Sequence, residues 1–167
     1  MSVEFHDFSI QAKEALSDAV IAALHEVAGE LTSKTKRLTK MNPKDGHDVR
    51  GNWKYRVDEA KQEAVIGNPL EASYWEELGT GEYALNKDGR KGWWVYIKGG
   101  SGYAGKTKTY SSQKEAEEAA AYISQKHGVQ AIATNGREPN RPLFRAFTSE
   151  KEALIRIMQA RIGELMK

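Results

Sequence analysis

Apolar residues recur every three or four positions over residues 9–40. Leu16, Val20, Ala23, Val27 and Leu31 form a stripe that Ala12, Ala19, Leu24 and Leu38 widen, while Lys13, Glu14, Asp18 and Glu30 fall mostly off it. That period predicts a long amphipathic helix. Lys34, Lys36, Arg37 and Lys40 crowd its last turns, where cations favour the helix dipole. Asn42-Pro43 is the expected stop, because a residue before proline avoids the α region. The period then changes from helical to alternating. Over residues 52–58, Trp53, Tyr55 and Val57 alternate with Lys54 and Arg56, and a second strand is expected over 62–67. With Glu59-Ala60-Lys61 between them, the two read as an antiparallel hairpin.

Residues 73–81 follow the turn signal Asn68-Pro69 and are the stretch around which the rest is expected to organise. Tyr74, Trp75 and Leu78 offer three large apolar groups that one helical turn can bury together, a structural anchor. Gly79 and Gly81 end that turn, since glycine accepts positive φ. Beyond a basic, glycine-punctuated loop, residues 93–97 form the most β-prone run in the chain. A middle helix is predicted over 112–127, with Ala116, Ala119, Ala120 and Ile123 on one face. Ser112 and Glu115 make its capping box, and Gly128 follows it. A short strand over 129–133 and the turn Thr134-Asn135-Gly136 precede an extended approach through Pro139 and Pro142. Leu143, Phe144 and Phe147 are expected apolar anchors. A last helix is predicted to start at a capping box of Ser149 and Glu152, with the stripe Leu154, Met158, Ile162 and Leu165. The expected fold is a single α+β domain over 1–167: a small, mainly antiparallel sheet packed by the long N-terminal helix, the middle helix and the C-terminal helix.

Composition narrows the class further. A chain of 167 residues with 40% hydrophobic and 29% charged residues can bury a core without staples. No apolar run approaches the roughly 18 residues of a membrane helix, and the basic-then-apolar order of a signal peptide is missing, so a cytoplasmic location is expected. The absence of Cys excludes disulfides, thiol nucleophiles and thiolate metal sites. A net charge of +2 is too small to argue for nucleic acid by itself.

One formal catalytic pattern is present. Gly100, Gly105, Lys106 and Thr107 satisfy the spacing of a phosphate-binding loop, in which backbone amides cradle phosphates, the Lys reaches the terminal ones and the Thr holds magnesium. In such loops the Lys and Thr open a helix. Here Thr107-Lys108-Thr109-Tyr110 is β-prone, and no later apolar strand ends in an Asp to hold the metal, so a β-hairpin with a glycine-rich tip is expected instead. His6, His25, His47 and His127 lack ligand spacing, and Glu76 and Glu77 would point apart on a helix. Serines fall in caps and turns. No catalytic residue, cofactor or metal site is expected, and the chain reads as a part rather than a catalyst.

Four segments in order carry a resemblance. They are Val49-Arg50-Gly51-Asn52, then Tyr74-Trp75-Glu76-Glu77-Leu78-Gly79-Thr80-Gly81, then Gly89-Arg90-Lys91-Gly92-Trp93-Trp94-Val95-Tyr96. The last is Thr134-Asn135-Gly136 with Pro139, Arg141-Pro142-Leu143-Phe144 and Ala146. With the flanking helices, the chain resembles the neck or tail-completion proteins of long-tailed bacteriophages, the minor tail components of head–tail joining, with the region around 99–128 as a subfamily insertion. The resemblance implies a non-enzymatic virion structural protein of a phage or prophage. It would assemble as a ring with other neck, head-closure or tail-tube proteins, after synthesis in the host bacterial cytoplasm. Loops 44–50 and 83–92 are expected to order against neighbouring subunits, with Arg50, Arg90 and Lys91 facing acidic neighbours or DNA. The alternative is a small nucleic-acid-binding module, resting on basic loops interleaved with Trp53, Tyr55, Trp93 and Trp94.

Overall fold

The computed structural model describes residues 9–41, 48–98 and 108–164, with side chains from Lys13 onward. The phosphate-loop spacing at 100–107, residues 44–47 of the first polar loop, Asn42-Pro43, His6, Leu165 and the side chain of Ala12 lie outside them. The described residues form an α+β fold, with four helices and small antiparallel sheets. Its chain divides into two compact units. One gathers residues up to Leu38, Asn52–Pro69 and the chain from Leu143 onward; the other gathers Thr39–Gly51 and Leu70–Pro142.

In the first unit, helix α1 (Ser9–Leu38) follows the stripe expected for it. Ala23, Ala28 and Leu31 are buried, and Leu31 joins Ala146 and Leu154 in a core that Val27, Leu38 and Ile66 complete. Leu16, by contrast, is half exposed. Strands β1 (Lys54–Asp58) and β2 (Glu63–Gly67) pair antiparallel, Lys54 opposite Gly67 and Asp58 opposite Glu63, as the alternation predicts. Their turn is closed by the amide of Gln62 on the carbonyl of Glu59 and by the amide of Lys61 on the Asp58 carboxylate. The hairpin packs on α1, and His25 meets the Tyr55 ring edge-on.

The last helix corrects the expected boundary. It runs over Pro142–Glu164 (labelled α4 below, after α2 and α3 of the other unit) and opens at Pro142 instead of Ser149. Proline is tolerated in the first turn, where its missing N–H would be unpaired anyway. Ser149 therefore sits inside the helix, its hydroxyl donating to the Ala146 carbonyl, and no cap forms there. The expected anchors Phe144 and Phe147 are half exposed, while small Ala146 is the fully buried residue of that turn. Lys34 pairs with Glu150, and Arg161 with Glu26 at 2.7 Å, so among the described residues two ion pairs join α1 to α4.

In the second unit, α2 (Glu71–Leu78) leads into β3 (Thr80–Gly81), and β4 (Trp94–Ile97) follows residues 83–92. Helix α3 (Gln113–His127) packs on β4 and β5 (Ala131–Thr134), and β6 is Gly136–Arg137. Both predicted ends of α3 form, although the Glu115 carboxylate accepts from the amide and hydroxyl of Ser111 and not from the Ser112 amide that a full capping box would use. The Ser112 hydroxyl accepts the amide of Glu115, and the amide of Gly128 returns to the Ser124 carbonyl. The sheet differs from the single one expected: β1 pairs only with β2, β3 with β6 and β4 with β5, three two-stranded ladders among the described residues. Alternation in sequence sets which face of a strand is buried but carries no information on how many strands share a sheet.

Candidate functional site

The stretch over 73–81 is organised by a residue that its hydrophobic pattern hides. Tyr74 is 50% exposed, and its hydroxyl accepts from the Asn86 side chain. The expected aromatic anchor is thereby corrected: only Trp75 of the pair packs inward, against the cluster of Met41, Val49 and Ala72, and Leu78 is half-buried. Glu76 is fully buried instead. Ala72 and Ser73, one turn earlier on the same face, are small enough to bring the surrounding backbone close.

Both oxygens of the Glu76 side chain are hydrogen-bonded. One carboxylate oxygen accepts the Lys40 amide at 2.6 Å and the Asn140 side-chain amide at 2.8 Å; the other accepts the Met41 amide at 3.1 Å. Its backbone carbonyl accepts the amides of Asn140 and Arg141 at 2.8 and 3.2 Å. Three segments distant in sequence, around 40, 76 and 140, thus meet on one residue. A buried carboxylate is stable only when hydrogen-bonded at this density. With no exposed surface it cannot reach a substrate, so its chemistry is structural. The sequence shows only that Glu76 and Glu77 point apart on a helix, which excludes a shared acid/base pair but does not reveal which of the two is buried. The signal that could have found it is its place one turn after Ala72 and Ser73, on a face of small residues.

Next to this junction, residues 48–51 fold back. Val49 is buried, and the Arg50 guanidinium donates through two nitrogens to the Thr39 carbonyl at 3.1 and 2.7 Å. The Arg50 amide bonds to the Met41 carbonyl, and the Asp48 carboxylate accepts the Gly51 amide. Arg50, expected to face acidic neighbours or DNA, is exposed, with its guanidinium engaged by the Thr39 carbonyl.

The ladder of β3 with β6 follows, Thr80 opposite Arg137 and Gly81 opposite Gly136. Gly79 and Gly81 take φ of 77° and 62°, as the sequence predicts. A Cβ on Gly81 would lie 2.1 Å from the Asn135 carbonyl oxygen, and one on Gly136 2.2 Å from that of Thr80, so this pairing admits only glycine. Residues 83–92 are not extended. The amides of Tyr83, Ala84, Leu85 and Lys87 return to the carbonyls of Thr80, Gly81, Leu78 and Ala84. The Glu82 carboxylate adds the Gly92 amide and the Asn135 side chain.

The loop ends in a basic and aromatic patch. Arg90 stacks 5.2 Å from the Trp94 ring centroid and donates to the Thr109 hydroxyl at 2.7 and 3.2 Å. Lys108 lies 5.4 Å from the Tyr110 centroid, and Tyr110 bridges Trp93 through paired backbone hydrogen bonds. Lys91 between them is exposed. Arg50, Arg90 and Lys91 are therefore not one cluster in their contacts: Arg50 belongs to the Glu76 junction, Arg90 and Lys91 to this patch.

Among the described residues no three His, Asp or Glu side chains are grouped to hold a metal, and no helix is long and apolar enough to cross a membrane. Two ionisable groups among the described residues shift. The hydrogen bond and charge of Lys34 hold Glu150 below the ordinary carboxylate value, and those of Glu26 raise Arg161. Both belong to the ion pairs between α1 and α4. Comparison with family models, with curated proteins and with solved structures gives no match.

Proposed function

We propose that this chain is a non-enzymatic structural protein of a tailed phage or prophage virion, acting in head–tail joining or tail completion as a ring subunit. The observation that carries the reading is where the resembling segments fall. Val49 to Gly51, Glu76 to Gly81 and Asn135 to Arg141 all contribute to the Glu76 junction or the adjoining glycine ladder. A motif whose residues fix a fold, with a carboxylate sealed from solvent, is what a building block needs and a catalyst does not. The basic patch around Arg90, Lys91 and Lys108 offers a surface for acidic neighbours, and it favours the second reading, a nucleic-acid-binding module.

Light scattering separates the two. A ring subunit gives a defined oligomer, alone or when mixed with purified tail-tube or head-closure protein encoded beside it, and binds DNA weakly. A monomer indifferent to both preparations, with DNA affinity falling steeply as salt rises, establishes the nucleic-acid module instead.

A further inference from the structure

The first unit carries a groove of about 400 Å³ between α1 and the start of β1. Gly29, Thr32, Ser33 and Lys36 supply its helical wall, and Lys54 and Tyr55 the other, above buried Trp53. Neighbouring strand residues point to opposite faces, so a groove touched by both Lys54 and Tyr55 follows the edge of the strand and not one face of it. No β2 residue lines it, so this is the β1 edge turned away from β2. Among the described residues no strand pairs with that edge. In an antiparallel pair, alternate amides and carbonyls face away from the partner, so on this placement the groove borders the edge of β1 that carries them.

Two further features mark an acceptor. Thr32 is 6% exposed, and its hydroxyl finds no hydrogen-bond partner among the described residues, a costly state for a buried polar group. The charged residues of the lining are Lys36 and Lys54, with no carboxylate among them. Gly29 keeps the helical wall low: a Cβ there would meet only the Tyr55 ring, at 3.9 Å. We propose that this groove receives an extended, acidic segment of another protein, which adds as a third strand to the free edge of β1. Main-chain hydrogen bonds to the edge would supply register, and Lys36 and Lys54 would select carboxylates at alternate positions. The inference goes beyond the virion reading and does not depend on it.

The test titrates the full-length, isotope-labelled protein with a blocked hexapeptide alternating threonine and aspartate, and follows amide shifts and hydrogen exchange by NMR. Slowed exchange at alternate residues over 54–58 is expected, with no response to a hexapeptide alternating threonine and lysine. N-methylation of alternate peptide amides should abolish binding. Lys54→Glu should weaken it roughly tenfold, the loss of one charge-assisted contact. Gly29→Met should block the groove while keeping the fold, since methionine is the better helix former. Binding that survives Gly29→Met or N-methylation overturns the proposal, as does equal binding of the lysine peptide. Exchange protection at β1 that rises with protein concentration alone also overturns it, by making the occupant a second copy of this chain.

Discussion

Glu76 is fully buried and ties three distant segments of the second unit together. In Glu76→Gln one carboxylate oxygen becomes an NH₂ group, which must face either the Met41 amide or the amides of Lys40 and Asn140, donor against donor. We expect a loss of about 2–4 kcal/mol in urea unfolding, because buried donors are left unpaired. Tyr74→Phe removes only a half-exposed hydroxyl and should stay within about 0.5 kcal/mol. The reverse ranking would mean that the aromatic pattern, and not the carboxylate, anchors the stretch. The pattern misleads because Glu is read as a solvent-facing residue. Its burial depends on three donors from segments about 35 and 64 positions away, which no local window contains. Gly79 and Gly81 were legible because a left-handed backbone is a property of the residue itself.

Elements were legible where their signals are local. Helix α3 carries its own N-cap and C-terminal glycine and ends where predicted, whereas α4 starts earlier than its serine suggests, because Pro142 opens it first. The two serines therefore predict opposite results. Ser112→Ala should cost about 1 kcal/mol, the usual value of a lost N-cap. Ser149→Ala, inside α4 and bonded only back to its own helix and to the neighbouring Glu150, should be neutral or slightly stabilising. Thermal unfolding of both variants decides it, and a larger loss at Ser149 would restore the later start. The link between α1 and α4 has a pH signature. Lys34 lowers the Glu150 pKa in the folded state below its ordinary value of 4.5. A depressed carboxylate stabilises the fold above its unfolded pKa and ceases to do so as pH falls through the folded one. The stability difference between the wild type and Lys34→Met should therefore be constant near neutrality and shrink only below about pH 4.5, in the window where Glu150 takes up its proton. A difference that persists unchanged at lower pH would assign the effect to the lysine stem and not to its charge.

At the scale of the molecule, neither compact unit is a continuous piece of chain: the backbone leaves one for the other after Leu38, Gly51, Pro69 and Pro142. Sequence periodicity placed the elements but could not assign them to units, since that depends on which faces meet and not on where they lie. The same limit governs the charged residues singled out for assembly. Arg50, Arg90 and Lys91 look alike in sequence, but Arg50 holds the Thr39 carbonyl and Arg90 holds Trp94 and Thr109. Reversing either charge would damage the fold and the surface together, so a loss of assembly would be ambiguous. Lys91 is exposed, and Lys91→Glu is the clean probe. Its unfolding midpoint should match that of the wild type, because exposed substitutions away from caps and networks change stability little. If the basic patch faces an acidic neighbour in a ring, the oligomer or complex seen by light scattering should dissociate in this variant. Weakening should be greater at low salt than at high salt, where the original attraction is already screened. Unaltered assembly by Lys91→Glu at low salt would remove the patch from the subunit interface, and the half-exposed Tyr74, Tyr83 and Leu85 of the same unit would be the next surface to substitute.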